Sequence, residues 1–224
     1  MKKQWYLLTT TLALSSIFYV ILHHPIIAAG QPILHKQHNP NGLYHSASVT
    51  PYYWDKKGRT WFLLGKEKRT KGTFWYNFGG ARDNSDCNSL HTAQREGKEE
   101  TAMQIQFSSK PRVQVKPFYL YAKNPLHVSI KAPFRPHSVA YFLPVTCKIN
   151  PKKMKYAAKR HRHVEKYDWQ WVLAEDLIQA VQNRSQLPGL NAPIYPIYAQ
   201  TLRNPYVLQH VQKIIATGIQ QARS

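Results

Sequence analysis

The chain is poor in acid. Its 224 residues hold 11 Asp plus Glu against 31 Lys plus Arg, a formal net charge of +20. That balance excludes an acidic disordered tail and points to an anionic partner or substrate. Cysteine is scarcer still, with only Cys87 and Cys147, too few for a disulfide scaffold or a four-thiolate zinc site. No internal repeat and no low-complexity linker divides the chain. Aromatic residues are plentiful, with 6 Trp, 14 Tyr and 8 Phe, and 43% of the chain is hydrophobic. This supplies one substantial core and falls short of two ordinary domains. Charge alone does not separate a nucleotide from a nucleic acid or a lipid headgroup, because all three answer to the same long-range field.

Lys2 and Lys3 precede an uncharged stretch, densest from Trp5 to Leu22, followed by Pro25 and the small residues Ala28, Ala29 and Gly30. A positive start, an apolar run and small residues after a helix breaker form the plan of a signal peptide, with cleavage after Ala29. The expected location is then outside the cytoplasm, periplasmic or secreted. The alternative is an uncleaved membrane anchor over residues 5–22, since these 18 uncharged residues are just long enough to span a bilayer. In either case residues 1–30 stand apart from a domain covering 31–224.

Within that domain, Tyr44–Thr50 and Thr60–Gly65 read as a hairpin turned at Lys57–Gly58. A basic connection, KEKRTKG, leads to a third strand, TFWYNFGG, ending in Gly79–Gly80. A polar loop follows, then a helix from SLHTAQREGKEETAMQI with Ser89 as its N-cap. Strands are predicted at Phe118–Ala122 and Ser138–Cys147. The second is almost continuously apolar, hence central in a sheet, and Pro144 marks a bulge or strand end. Val207, Leu208, Val211, Ile214 and Ile215 recur at helical spacing after Pro205, as in a helix packing one face on the sheet.

The scarce acids are not evenly spread. Glu96, Glu99 and Glu100 fall at i, i+3 and i+4 of the predicted helix and share one face. Like charges so placed destabilise a helix by a few tenths of a kcal/mol per pair, so they need a counter-charge. A divalent cation with a preference for oxygen ligands supplies one and bridges to phosphate. Neutralisation by Arg95 and Lys98 on a solvated face is the plainer alternative.

The stretch Gly79–Met103, GGARDNSDCNSLHTAQREGKEETAM, resembles a Nudix box, whose pattern is Gly, five residues, Glu, seven residues, then Arg-Glu-apolar-x-Glu-Glu-x-Gly-apolar. Arg95, Glu96, Glu99, Glu100 and Met103 match it. With Gly80 as the leading glycine, Asp86 takes the place of the first Glu, and one extra residue separates it from Arg95. Gly97 replaces the apolar position, at a cost to the helix of up to about 1 kcal/mol relative to Ala. Ala102 replaces the closing glycine, which removes the favoured left-handed stop and predicts a helix running on a little further. The resemblance extends from about Tyr44 to the C-terminal helix through LLGKEKR and EKYDWQWVLAEDL.

The resemblance implies an α+β fold of the Nudix type, an α/β/α sandwich with a mixed sheet between helices. It implies hydrolysis of a phosphoanhydride bond in a nucleoside diphosphate linked to another group, with Mg²⁺ or Mn²⁺ as cofactor. Glu96, Glu99 and Glu100 would be metal ligands and catalytic residues, one of them also a general base. Arg95 would orient a glutamate, and Gly80 would admit substrate close to the backbone. Glu165 and Asp168 are further candidates for the base. The departures at Asp86, Gly97 and Ala102 feed an alternative: a catalytically silent module of the same fold that binds nucleotide, RNA or anionic membrane through its basic surface.

Several other groups invite a role. The basic segment 148–166, with Lys148, Lys152, Lys153, Lys155, Lys159, Arg160 and Arg162, suits RNA or an anionic membrane as well as it suits a solvated loop. His161 and His163 lack the spacing of a metal site. Cys87, in the box loop, and Cys147, in a predicted core strand, are expected to be free thiols. Trp169 and Trp171 alternate in a strand-like run, and Tyr52, Tyr53 and Trp75 are expected in the core, with base stacking as the alternative.

Overall fold

The computed structural model describes residues 44–120, 138–161 and 164–224. The signal or anchor segment, Tyr121 and Ala122 of the predicted strand, and Arg162 and His163 lie outside the described residues. Among the described residues, no helix is long and apolar enough to cross a membrane.

The predicted hairpin is present as β1 (Ser46–Trp54) and β2 (Thr60–Arg69), but β1 runs past the predicted Thr50, and it is Tyr52–Trp54 that pair with β2. Asp55 builds its turn by accepting from the Lys57 and Arg59 amides at 2.9 and 3.1 Å, while Gly58 takes φ +75°, where a side chain would be strained. The strand β2 is longer than expected. Lys66–Arg69, read from sequence as a connection, continue it and pair with β3 (Gly72–Tyr76). The strand ending in the diglycine is broken in two. β3 pairs with β2, β4 (Phe78–Ala81) pairs with the first half of β1, and between them buried Asn77 donates to Ser48 Oγ at 3.0 Å.

Seven strands form one mixed sheet among the described residues. β1 is central and pairs in parallel with β6 (Ser138–Pro144), which pairs antiparallel with β5 (Phe118–Leu120). The far edge of β2 carries β7 (Asp168–Leu173), antiparallel from Trp61↔Leu173 to Lys66↔Asp168. β6 is buried on both faces, as its unbroken apolar run requires, and it ends at Pro144. Cys147 therefore falls past the strand and is exposed rather than in the core, and Cys87 is exposed too. Both are free thiols.

Alternation along the strands sorts the core into two layers. Phe62, Leu64, Ala140 and Phe142 face a cluster shared with α3 (Ala174–Gln182), α4 (Pro196–Arg203) and α5 (Pro205–Arg223). Leu63, Val139, Tyr141 and Leu143 face the other cluster, which takes in Ala93 of α1 (Ser89–Glu99) and Met154 of α2 (Pro151–Ala158). Helices thus flank a mixed sheet, as predicted. Tyr52, Trp75, Trp169 and Trp171 are all buried in these layers and Tyr53 is half-buried, so the aromatic residues pack rather than wait for a base.

The central helix α1 departs from expectation at both ends. Its N-cap is Asn88, whose Oδ1 accepts from the His91 amide at 2.9 Å. Ser89 instead shares a 2.7 Å hydrogen bond with the Tyr141 hydroxyl. At the other end the helix stops at Glu99. Ala102 adopts the left-handed conformation despite its Cβ (φ 51°), and Met103 follows (φ 60°). Local bonds over-determine the stop. The Ala102 amide donates to Glu99 O at 2.9 Å, the Met103 amide to Lys98 O at 2.7 Å, and the Trp169 indole caps Glu100 O at 3.1 Å.

Candidate functional site

Gly97 explains where the helix lies. A Cβ there would stand 2.7 Å from Val49 Cγ1 and 2.8 Å from Phe107 Cζ, so only glycine lets α1 settle this closely on β1. The close seat brings the glutamate face of α1 over the end of β4. Gly79, Gly80 and Ala81 then line a cleft of about 440 Å³ together with Glu96, Glu99, Glu100, Val164 and Glu165. At Gly80 a Cβ would fall 2.6 Å from Glu96 Cδ and from both its oxygens, so the group that approaches this backbone closely is the Glu96 carboxylate.

Arg95 ties the cluster together. Its Nη1 donates to Glu96 Oε1 at 2.9 Å and Glu99 Oε2 at 3.0 Å. Its Nη2 donates to Ala81 O at 2.9 Å and to Asp86 Oδ2 at 3.0 Å, with Nε reaching Asp86 Oδ1 at 3.1 Å. Asp86 is 2% exposed and also accepts from the Asp83 amide at 2.9 Å and Thr92 Oγ1 at 2.8 Å. Burial opposes its ionisation, but these donors outweigh it and hold the carboxyl at about 2. Asp86 therefore spends its charge on Arg95 and does not line the cleft. The hydrogen bonds to Asp86, followed by the acidic neighbours, raise the guanidinium above its ordinary value.

The three glutamates occupy different surroundings. Glu99 is exposed. Glu96 is half-buried, and that burial raises its carboxyl against the pull of Arg95. Glu100 is 3% exposed. Its Oε2 accepts from the Gly79 amide at 2.7 Å and its Oε1 faces Lys166 Nζ at 3.3 Å. Burial pushes it up to about 7, against the Lys166 charge and the Gly79 bond.

Two participants were not expected. Glu67 on β2 is buried, and it pairs with the Lys166 ammonium and with Arg69, whose Nε stands at 2.9 Å. Carboxylate oxygens of Glu67, Glu100 and Glu165 come within 4.8 Å of one another. The KEKR stretch reads from sequence as a basic connection, and only strand periodicity continued through it would flag Glu67 as inward. Of the two downstream acids, Glu165 reaches the cleft. Asp168 instead lies 4.0 Å from Lys155.

The basic segment is not one surface. Lys152, Lys153, Lys155, Lys159, Arg160 and His161 are exposed on and after α2, Lys148 stacks 3.2 Å from the Trp61 ring centroid, and Lys166 is wholly buried. His161 joins no metal-ligating group among the described residues.

The donor set fits a hard divalent cation. It consists of carboxylate oxygens with no sulfur or imidazole, the ligand chemistry of Mg²⁺ and Mn²⁺. Among the described residues, the salt bridges to Glu96 and Glu99 come from Arg95 alone, and Arg95 also serves Asp86. The cleft is short of positive charge.

No protein-family model and no curated protein matched the chain. Solved structures similar to it are Nudix hydrolases. They include the Nudix hydrolase RenU from M. smegmatis, with 14% identity, a TM-score of 0.47, and coverage of 79% of this chain and 88% of that one. A protein titled a possible asymmetric diadenosine tetraphosphate hydrolase from Jonesia denitrificans is 17% identical, with a TM-score of 0.44 and coverage of 77% and 96%. A NUDIX hydrolase from Nitrosomonas europaea is 15% identical, with a TM-score of 0.41 and coverage of 78% and 90%.

Proposed function

We propose that the protein is a metal-dependent pyrophosphohydrolase that cleaves a phosphoanhydride bond in a nucleoside diphosphate linked to another group. The observation that carries this reading is the cleft itself: Glu96, Glu99 and Glu100, presented by one helix turn over Gly79–Gly80, with a deficit of positive charge. Glu96, Glu99 and Glu100 would hold a Mg²⁺ or Mn²⁺ ion. When bound, such an ion neutralises phosphate charge and lowers the pKa of an attacking water.

The chain's own residues supply the rest. Asp86 fixes Arg95, and Arg95 fixes the Glu96 and Glu99 carboxylates, so their geometry is set before substrate arrives. Glu96 lies at the cleft with its carboxylate oriented by Arg95 Nη1, and it would accept the proton of the water. Gly80 leaves the room that carboxylate needs. The net charge of +20 draws polyphosphates toward the molecule.

The test is a panel of dinucleoside polyphosphates, nucleotide sugars, ADP-ribose, dinucleotide cofactors and nucleoside triphosphates, offered with Mg²⁺ or Mn²⁺ to the wild type and to the double variant Glu99→Gln, Glu100→Gln. Turnover that requires the metal and disappears in the variant is the expected result. Absence of turnover on every compound, with salt-sensitive binding kept in the variant, would replace the enzyme with a binding module acting through its exposed lysines.

A further inference from the structure

Lys166 is the most deeply placed cation among the described residues, with no exposed side-chain surface. An ammonium costs several kcal/mol to desolvate and stays inside only with close partners. It has two, Glu67 and Glu100, 99 and 66 positions away in the chain, and it lies 4.8 Å from the centroid of the Tyr76 ring. The fold also makes way for its stem. A Cβ on Gly65 would meet Lys166 Cγ at 2.8 Å and Cδ at 2.9 Å, so the lysine reaches inward through a gap that a glycine keeps open.

The effect on charge is local. The inner group comprises Glu67 and Glu100 with Lys166 and Arg69, two carboxylates against two cations. The outer group comprises Asp86, Glu96, Glu99 and Glu165, and Arg95 is the guanidinium paired with the first three. One group is balanced and the other is strongly negative, although Glu100 and Glu165 are near neighbours. The oxygens of Glu67, Glu100 and Glu165 are spaced as a divalent-cation ligand set, yet an ammonium already pairs with two of the three.

We propose that Lys166 is a built-in cation that takes the inner position of the acidic cluster, so that the protein binds one divalent ion at the cleft and excludes a second. The inference rests on the metal reading of the cleft given above. Lys166 is a positioning residue in this scheme. It fixes the Glu100 carboxylate, which would bind the ion, and it sets how many ions enter. An ammonium also holds its place at any metal concentration, whereas a second ion would come and go.

The experiment counts bound Mn²⁺. Titration is followed by the loss of the free-ion electron paramagnetic resonance signal and by calorimetry, on the wild type, Lys166→Met and Lys166→Arg, with circular dichroism to establish folding. One ion per chain is expected in the wild type and in Lys166→Arg, and two in Lys166→Met, where Glu67, Glu100 and Glu165 lose their ammonium. Two or more ions in the wild type, or a single ion in folded Lys166→Met, would overturn the inference and leave the metal cleft standing. A wild type that binds no Mn²⁺ would overturn the metal reading and this inference together. Should Lys166→Met fail to fold, Lys166→Gln is counted in its place, and there two ions support the inference and a single ion overturns it.

Discussion

Asp86→Asn removes a charge from the pin of the cleft while keeping the side chain's shape. The Asp86 carboxyl titrates at about 2 in the folded protein against 3.8 unfolded, and each unit of pKa difference is worth about 1.4 kcal/mol. A depressed folded pKa gives stability that is present above the unfolded value and lost as pH falls through the folded one. The ionised Asp86 therefore contributes about 2 kcal/mol at pH 7 and about half of that at pH 3. In the variant, the amide NH₂ also faces the N–H donors of Asp83 and Arg95, which adds a pH-independent loss on the order of 1 kcal/mol. The assay is urea unfolding of wild type and Asp86→Asn across pH 7 to 3. The gap between the two curves should narrow by about 1 kcal/mol over that range. A gap that stays constant would mean that Asp86 carries no specially stabilised charge, and the argument for Arg95 as a fixed clamp would fall with it.

Other perturbations separate packing from chemistry. Gly97→Ala should destabilise the protein by about 1–3 kcal/mol despite its better helix propensity, because its Cβ would meet Val49 and Phe107 inside 3 Å; a rise in denaturation midpoint would contradict the seating of α1. Gly80→Ala should leave stability within about 1 kcal/mol of wild type, since what it meets is the movable end of Glu96. Its turnover should drop about 100-fold from the displaced carboxylate, and an unchanged kcat would remove Glu96 from the chemistry. His210, packed against Phe118 and Phe142, is pushed down to about 4 by burial and by Lys116 and Lys213. A base so depressed gives stability above pH 6.5 that is lost on acidification to pH 4, on the order of 3 kcal/mol in full. His210→Gln should flatten that limb of the stability curve, and an identical acid slope in the variant would assign the loss to other groups.

The elements legible in the sequence are those whose signal is local. The hairpin turn, the apolar run of β6 and the Pro205-led terminal helix each depend on residues a few positions apart, and all three are present. The misreadings have a common cause in tertiary structure. TFWYNFGG has the composition of one strand, and nothing in it says that the first half pairs with β2 and the second with β1. Lys66–Arg69 read as a loop because three of four residues are basic, yet β3 supplies the partners that make them a strand. Ala102 has no propensity for the left-handed stop it makes; the carbonyls of Lys98 and Glu99 and the indole of Trp169 impose it.

The same division runs through the candidate site. Helical spacing alone puts Glu96, Glu99 and Glu100 on one face, and Arg95 beside them is legible as a partner. The residues that decide what these glutamates can do are not adjacent in sequence. Asp86 looked like a shortened copy of a cleft acid, but Thr92, the Asp83 amide and Arg95 surround it, and four donors to one buried carboxylate leave it no free direction toward the cleft. Lys166 sat among solvent-facing lysines in the sequence, and only the approach of β7 to β2 carries it to Glu67. Charge counts taken over the whole chain therefore mislead at the one place where they matter. A protein of net charge +20 holds a cleft that is locally negative, and Lys166 and Arg69 are spent just behind it, on Glu67 and Glu100. The surplus of basic residues lies elsewhere on the surface, while Glu96 and Glu99 of α1 are salt-bridged, among the described residues, by Arg95 alone.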